Sequence, residues 1–253
     1  MNKIISIIII LLLFSITVGC EKEKEGVKED YLDLSIIHLS EYIKDNIEKM
    51  SREDADKLLL YFEDLQKNET SSFRNKNSKE FIEELRNIGY KLERAEGEFF
   101  PVIDYTFYNS YFQFISQDLK EYFSIMIIES ERVPAKDAAL VIDKEEIFRR
   151  ALRQEGFLLN YSESQRKEEV EQLLSKYLYF IYYGLDNTPL FDFYSKKMKE
   201  EDLIKYLKFT KENQESPLIK DLSVFMDIIE KNNYTLDSTS KEYRETVAPP
   251  LIG

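Results

Sequence analysis

In the run Leu32-Asp33-Leu34-Ser35-Ile36-Ile37-His38-Leu39-Ser40-Glu41-Tyr42-Ile43-Lys44-Asp45-Asn46-Ile47-Glu48-Lys49-Met50, the residues Leu32, Ile36, Leu39, Ile43, Ile47 and Met50 recur at three- and four-residue steps. An α-helix completes a turn in about 3.6 residues, so this spacing lines them up as one apolar stripe, whereas a half-buried strand would alternate. The pattern continues outward. Ser51 followed by Asp54 supplies the hydroxyl and acid of a capped helix start, after which Ala55, Leu58, Leu59, Phe62 and Leu65 share a face. Residues 68–77 are polar and loop-like. Asn77 with Glu80 predicts the next start, for a helix through about Asn87 that Gly89 ends.

Helical patterning resumes over 104–113, 117–131, 144–159, 164–183, 200–213 and 217–232, punctuated by Pro134, Asp143, Gly184, Pro189 and Pro217. Residues 90–104 are different. Gly97 and Pro101 break any helix there, and Tyr90-Lys91-Leu92-Glu93 alternates, which predicts one short β-hairpin. No fixed-period repeat is present. The expected fold is all-α: a bundle-like single helical domain over 30–247, preceded by a charged tether at 20–29 and followed by a flexible tail at 248–253.

Composition narrows the chemistry. The 253 residues carry 35 basic and 48 acidic side chains, a net charge of −13. Nucleic-acid binding depends on Lys and Arg displacing counterions from phosphate, so this balance argues against it, and equally against docking on anionic lipid. With 17 Phe, 17 Tyr and no Trp, aromatic rings supply much of the buried area. Buried tyrosine hydroxyls then need carboxylates and amides as partners. The single cysteine excludes a disulfide, and the single histidine, His38, lacks the companions of a triad or zinc site. His38 sits one position before the stripe residue Leu39, where a residue at the core's edge is expected.

Motifs are few. Ser164/Lys167 and Ser238/Lys241 have Ser-x-x-Lys spacing, but the companion elements of penicillin-recognising enzymes are missing and both pairs fall near helix starts. The seven glycines form no phosphate loop, and Asp54-x-Asp56 lacks the remaining ligands of a calcium loop. No cofactor and no metal is expected. The most unusual stretch is Glu93 to Phe114. Eight of the 16 residues from Phe99 to Phe114 are Phe or Tyr, beside Glu96, Glu98 and Asp104. Paired carboxylates near aromatic rings are the equipment of a glycan hydrolase, one acting as acid and the other as base or nucleophile. Among 48 acidic residues such pairs also arise by chance, and the expected reading is an aromatic core segment with solvated glutamates around a turn. A second cluster, Tyr177 to Tyr183, is apolar all round and reads as a central buried helix; the loop Leu185-Asp186-Asn187-Thr188-Pro189-Leu190-Phe191 beyond it has anchors that can border a pocket.

The amino terminus has its own logic. Lys3, an apolar run from Ile4 to Ile16, the small residues Thr17-Val18-Gly19 and then Cys20 have the layout of a secretory signal, too short to span a bilayer that needs about 20 apolar residues. Its end resembles the lipobox of bacterial lipoproteins. The resemblance implies removal of residues 1–19, a diacylglycerol thioether on Cys20 and a membrane anchor on the extracytoplasmic face. Two or more acyl chains anchor stably because burial gains about 0.8 kcal/mol per CH₂. The remaining 234 residues would hold 34 basic and 48 acidic side chains, a charge of −14. Phe-Phe-Pro-Val-Ile-Asp-Tyr at 99–105 and Tyr-Gly-Leu-Asp-Asn-Thr-Pro-Leu-Phe at 183–191 are similar to uncharacterised exported proteins of Gram-positive spore-forming bacteria. That similarity implies a helical extracytoplasmic domain and carries no activity with it. The expectation is a non-enzymatic, lipid-anchored domain that binds an envelope component or a partner protein. A carboxylate-based envelope glycan hydrolase is the first alternative and a small-molecule binding lipoprotein the second.

Overall fold

The computed structural model describes residues 32, 34–73, 78–95 and 97–249; the segment 1–31, with the signal, Cys20 and the tether, lies outside them, as do Glu96 and residues 250–253. The chain forms α1 (Ile36–Asn46), α2 (Arg52–Glu69), α3 (Lys79–Asn87), β1 (Tyr90–Ala95), β2 (Glu98–Ile103), a 3₁₀ helix (Tyr105–Tyr111) and α4 (Gln117–Glu131). It continues through β3 (Ala135–Lys136), β4 (Ala139–Leu140), α5 (Lys144–Asn160), α6 (Lys167–Tyr182), β5 (Gly184–Leu185), β6 (Thr188–Pro189), α7 (Glu200–Lys211), α8 (Pro217–Glu230) and α9 (Ser238–Val247). The described residues are mostly helical, with three two-stranded antiparallel hairpins among them.

Local chemistry explains the boundaries. The stripe residues Ile36, Leu39, Ile43, Ile47 and Met50 are buried, while Leu32, ahead of α1, is 46% exposed. The Ser51 hydroxyl accepts from the Asp54 amide at 3.2 Å and caps α2. At α3 the cap is Ser78 instead of Asn77, its hydroxyl accepting from the Phe81 amide at 3.2 Å. The hairpin predicted over 90–104 is β1–β2, in register from Tyr90 opposite Ile103 to Ala95 opposite Glu98. The following segment winds as 3₁₀, not α, with Tyr105, Tyr108 and Tyr111 buried. Three residues per turn put those rings on one face.

Burial gathers into two clusters. One holds Leu39, Ile43, Phe62, Tyr108 and Phe123 from α1–α4 and the 3₁₀ helix; the other holds Phe148, Tyr177, Tyr206, Leu222 and Phe225 from α5–α8. α5 and α6 serve both: Phe157 and Val170 belong to the first, Phe148 and Tyr177 to the second, and Leu173 packs against each.

Acceptors for the buried hydroxyls are built in. Tyr105 and Tyr122 donate to Glu63 Oε1 at 2.8 and 2.6 Å. Tyr108 donates to Gln66 Oε1 and Tyr90 to the Gln66 carbonyl, both at 2.6 Å. Tyr177 donates to Glu129 at 2.6 Å and Tyr206 to the Ile181 carbonyl. Fully buried Glu63 is neutralised from the start of α6, where Arg166 Nη2 lies 2.7 Å from its Oε2. The same guanidinium pairs with Asp64 at 2.6 Å and Glu169 at 2.7 Å, tying α2 to α6. Arg150 does similar work in α5, donating to Glu146 at 2.9 Å, to the Arg132 carbonyl at 2.9 Å and to Glu129 at 3.4 Å.

Candidate functional site

Of the carboxylates singled out near 96–104, Glu98 and Asp104 stand at opposite ends of one strand. Glu98 opens β2 and is exposed, next to the hairpin turn. Asp104 follows the far end of that strand, where its Oδ1 accepts from the Thr106 amide at 3.2 Å and the Thr106 hydroxyl at 2.7 Å. Six residues of extended chain separate their Cα atoms by about 20 Å, against the roughly 5–9.5 Å between carboxyl groups that glycoside hydrolysis requires. Glu96 and Cys20 lie outside the described residues.

The other motif residues have structural duties. His38 is exposed on α1, its Nδ1 3.1 Å from the Ser35 hydroxyl. The Ser164 hydroxyl accepts from the Arg166 amide at 3.3 Å, and Lys167 pairs with Glu171 at 3.7 Å. Ser238 and Lys241 lie at the start of α9, whose cap is Asp237 with Ser240. Asp54 pairs with the Ser51 hydroxyl at 2.7 Å; Asp56 accepts from the Ser116 amide at 2.9 Å, and burial raises its carboxyl above the usual range. Among the described residues, no group of three or more His, Cys, Asp or Glu side chains is placed to hold a metal ion. No described helix is long and apolar enough to cross a membrane.

A different region assembles a cleft of about 450 Å³, within the ~300–1,000 Å³ typical of ligand sites. One wall is the end of α6 with the β5–β6 hairpin: Tyr179, Tyr183 and Asp186. The lining also includes Phe191, Phe193 and Lys196 of the segment before α7, and Arg244 from α9. That loop is held by Asp192, whose Oδ1 accepts from the Tyr194 and Ser195 amides at 3.1 and 2.8 Å, an Asx turn that keeps its carboxyl below the usual range. The Leu236 amide donates to the Lys196 carbonyl at 2.8 Å, fastening the loop to the segment before α9. Phe193 and Tyr194 are left 72% and 90% exposed.

The rings inside the cleft are ordered by stacking. Tyr179 and Tyr183 lie parallel, centroids 4.7 Å apart at 11°. The Arg244 guanidinium lies 4.2 Å from the Tyr183 centroid, and Lys196 Nζ lies 4.4 Å from that of Phe193. No family model matches the chain, and no curated protein or solved structure does so. The site is therefore read from its own chemistry.

The loop at 185–191 does border a pocket, in keeping with its apolar anchors. Tyr179 and Tyr183, by contrast, are half-buried cleft residues and not part of an all-round buried turn, because the chain leaves the helix at Tyr183 and uncovers that side. Arg244, Lys196 and Phe193 carried no local pattern of binding. The exposed run Phe193-Tyr194-Ser195-Lys196-Lys197 was the one sign of them, two aromatic residues beside two cations.

Proposed function

We propose that the mature chain is a lipid-anchored binding domain on the extracytoplasmic face of the membrane, holding a sugar-containing envelope component in the cleft between α6, the β5–β6 hairpin and α9. The observation that carries this reading is the cleft's lining. Tyr179, Tyr183, Phe191 and Phe193 offer apolar rings against which the C–H face of a sugar packs, while Asp186, Asp192, Lys196 and Arg244 offer acceptors and donors for hydroxyls. The anchor rests on the lipobox-like run ending at Cys20. Mass spectrometry of protein from the membrane fraction of the producing cells is expected to find lipidated Cys20 as the first residue; an intact Met1 would sink the anchor.

Binding is testable by emission, since a chain with 17 Tyr and no Trp reports through tyrosine. A titration with β-1,4-linked N-acetylglucosamine oligomers is expected to saturate, and Tyr179→Ala to weaken it about tenfold, in line with roughly 0.5–1.5 kcal/mol for a well-packed ring. A flat titration, or a Tyr179→Ala protein that binds like the wild type, speaks against the cleft.

A further inference from the structure

We infer that the ligand of this cleft carries an oxyanion, a carboxylate or a phosphate on its sugar, received by Arg244 and Tyr183. The inference rests on the cleft being the binding site and specifies what enters it. Its basis is a contrast among three substantially buried arginines. Arg150 and Arg166 are each surrounded by carboxylates: Glu146 and Glu129 for the first, Glu63, Asp64 and Glu169 for the second. Arg244 is not. Among the described residues no carboxylate or carbonyl accepts from its guanidinium; its Nε is buried without a partner, as is that of Arg166, whose other nitrogens are paired. The Tyr183 hydroxyl, on the ring that Arg244 covers, is also buried and unpartnered. Burial pulls the Arg244 pKa below its usual range against the charges of Tyr183, Glu245 and Tyr179. Burial, opposed by Arg244 and helped by Glu245 and Tyr179, lifts the Tyr183 hydroxyl above its own.

Unpaired buried donors are costly, and a protein keeps them where something else completes them. A guanidinium lying against a ring keeps its N–H donors in its own plane, and its fork fits the two oxygens of a carboxylate or phosphate. The carboxylates at the rim do not fill this role. Asp192 spends one oxygen on the turn at 194–195, and Asp186 lies exposed on the hairpin. Their charge instead disfavours a bare polyanion and suits hydroxyls, so an oxyanion mounted on a sugar matches the lining better than a free ion.

Calorimetry on the detergent-solubilised full-length protein tests this with three probes: N-acetylmuramic acid, N-acetylglucosamine 6-phosphate and neutral N-acetylglucosamine. One of the charged sugars is expected to bind at least about tenfold tighter than the neutral one, the scale of a charge-assisted hydrogen bond, and which one identifies the oxyanion. In Arg244→Gln that ratio should fall to within about twofold of unity. Tyr183→Phe, which keeps the stacked ring and removes the orphaned hydroxyl, should reduce the ratio about threefold without lowering the thermal midpoint. Equal affinities for charged and neutral sugars overturn the oxyanion site and leave the cleft standing. A ratio unchanged in both variants overturns it as well, while failure of all three sugars to bind folded protein overturns the cleft and this inference together.

Discussion

Arg166→Met is expected to destabilise the protein by about 3–5 kcal/mol, as when one partner of a buried ion pair is removed, lowering the thermal midpoint by roughly 6–20 °C for a chain of this size. The cause is Glu63, which is fully buried and in contact with Arg166, Lys67 and two tyrosine hydroxyls. Lys67 reaches Oε1 at 3.0 Å but is itself 36% exposed, so it compensates only partly, and the loss should fall near the low end of the range. Glu63→Gln is the informative companion. It retains an oxygen for Tyr105 and Tyr122, and it leaves Arg166 with Asp64 and Glu169. The double variant is therefore expected to recover at least half of the loss, a coupling that a double-mutant cycle in urea measures directly. A single-variant loss under about 1 kcal/mol would mean that Glu63 is satisfied without Arg166.

How far this architecture was legible depended on whether its cause was local. Helix α4 runs from Gln117 to Glu131, the limits that its apolar period implies, because the stripe and its end lie within one stretch. Helix α6 starts at Lys167 and not at 164, since residues 161–167 first wind through a turn: the Ser164 amide donates to the Tyr161 carbonyl at 3.0 Å and the Lys167 amide to the Ser164 carbonyl at 3.2 Å. Strands of two residues, as in β3–β6, are too short for alternation to register. The need for hydroxyl partners was readable from composition. Which carboxylate would meet which tyrosine was not, because Glu63 and Arg166 come together from opposite ends of a long stretch of chain.

The same distinction governs the site. Glu98 and Asp104 drew attention by standing close in sequence, and a strand then spread them apart. The residues that do converge come from three separate segments, 179–186, 189–196 and 236–244, and no single window contains them. Phe193 and Tyr194, beside their lysines, are the most exposed large apolar side chains among the described residues. The proposed site therefore depends on how the carboxy-terminal cluster closes, and the turn after α6 forms part of its lining.

That turn is Gly184, and Gly184→Ala is expected to destabilise by about 3–5 kcal/mol, the range of severe backbone strain combined with overpacking. A Cβ built there would stand 2.3 Å from the Thr188 carbonyl oxygen, 2.7 Å from the Leu190 nitrogen and 3.0 Å from the Pro189 carbonyl carbon. All three are backbone atoms of the paired strand or its continuation, so no rotamer change relieves the contact. The backbone at φ +75° adds the left-handed penalty of an L-residue, about 1–2 kcal/mol. The hairpin has to open, and with it go the hydrogen bond from the Leu190 amide to the Tyr183 carbonyl at 3.0 Å and the one from the Leu140 amide to the Thr188 hydroxyl at 2.9 Å. Gly97 provides the contrast: its φ is +87°, but nothing lies within 4 Å of the added carbon. Gly97→Ala should therefore cost only the backbone penalty of about 1–2 kcal/mol. Because Gly184 joins Tyr183 to Leu185 in the cleft wall, its substitution should also abolish sugar binding at temperatures where the chain is still folded, while Gly97→Ala leaves binding intact. Urea unfolding and the tyrosine titration on the two variants separate these outcomes. Equal losses of stability would show that the β5–β6 hairpin yields without disturbing the cleft.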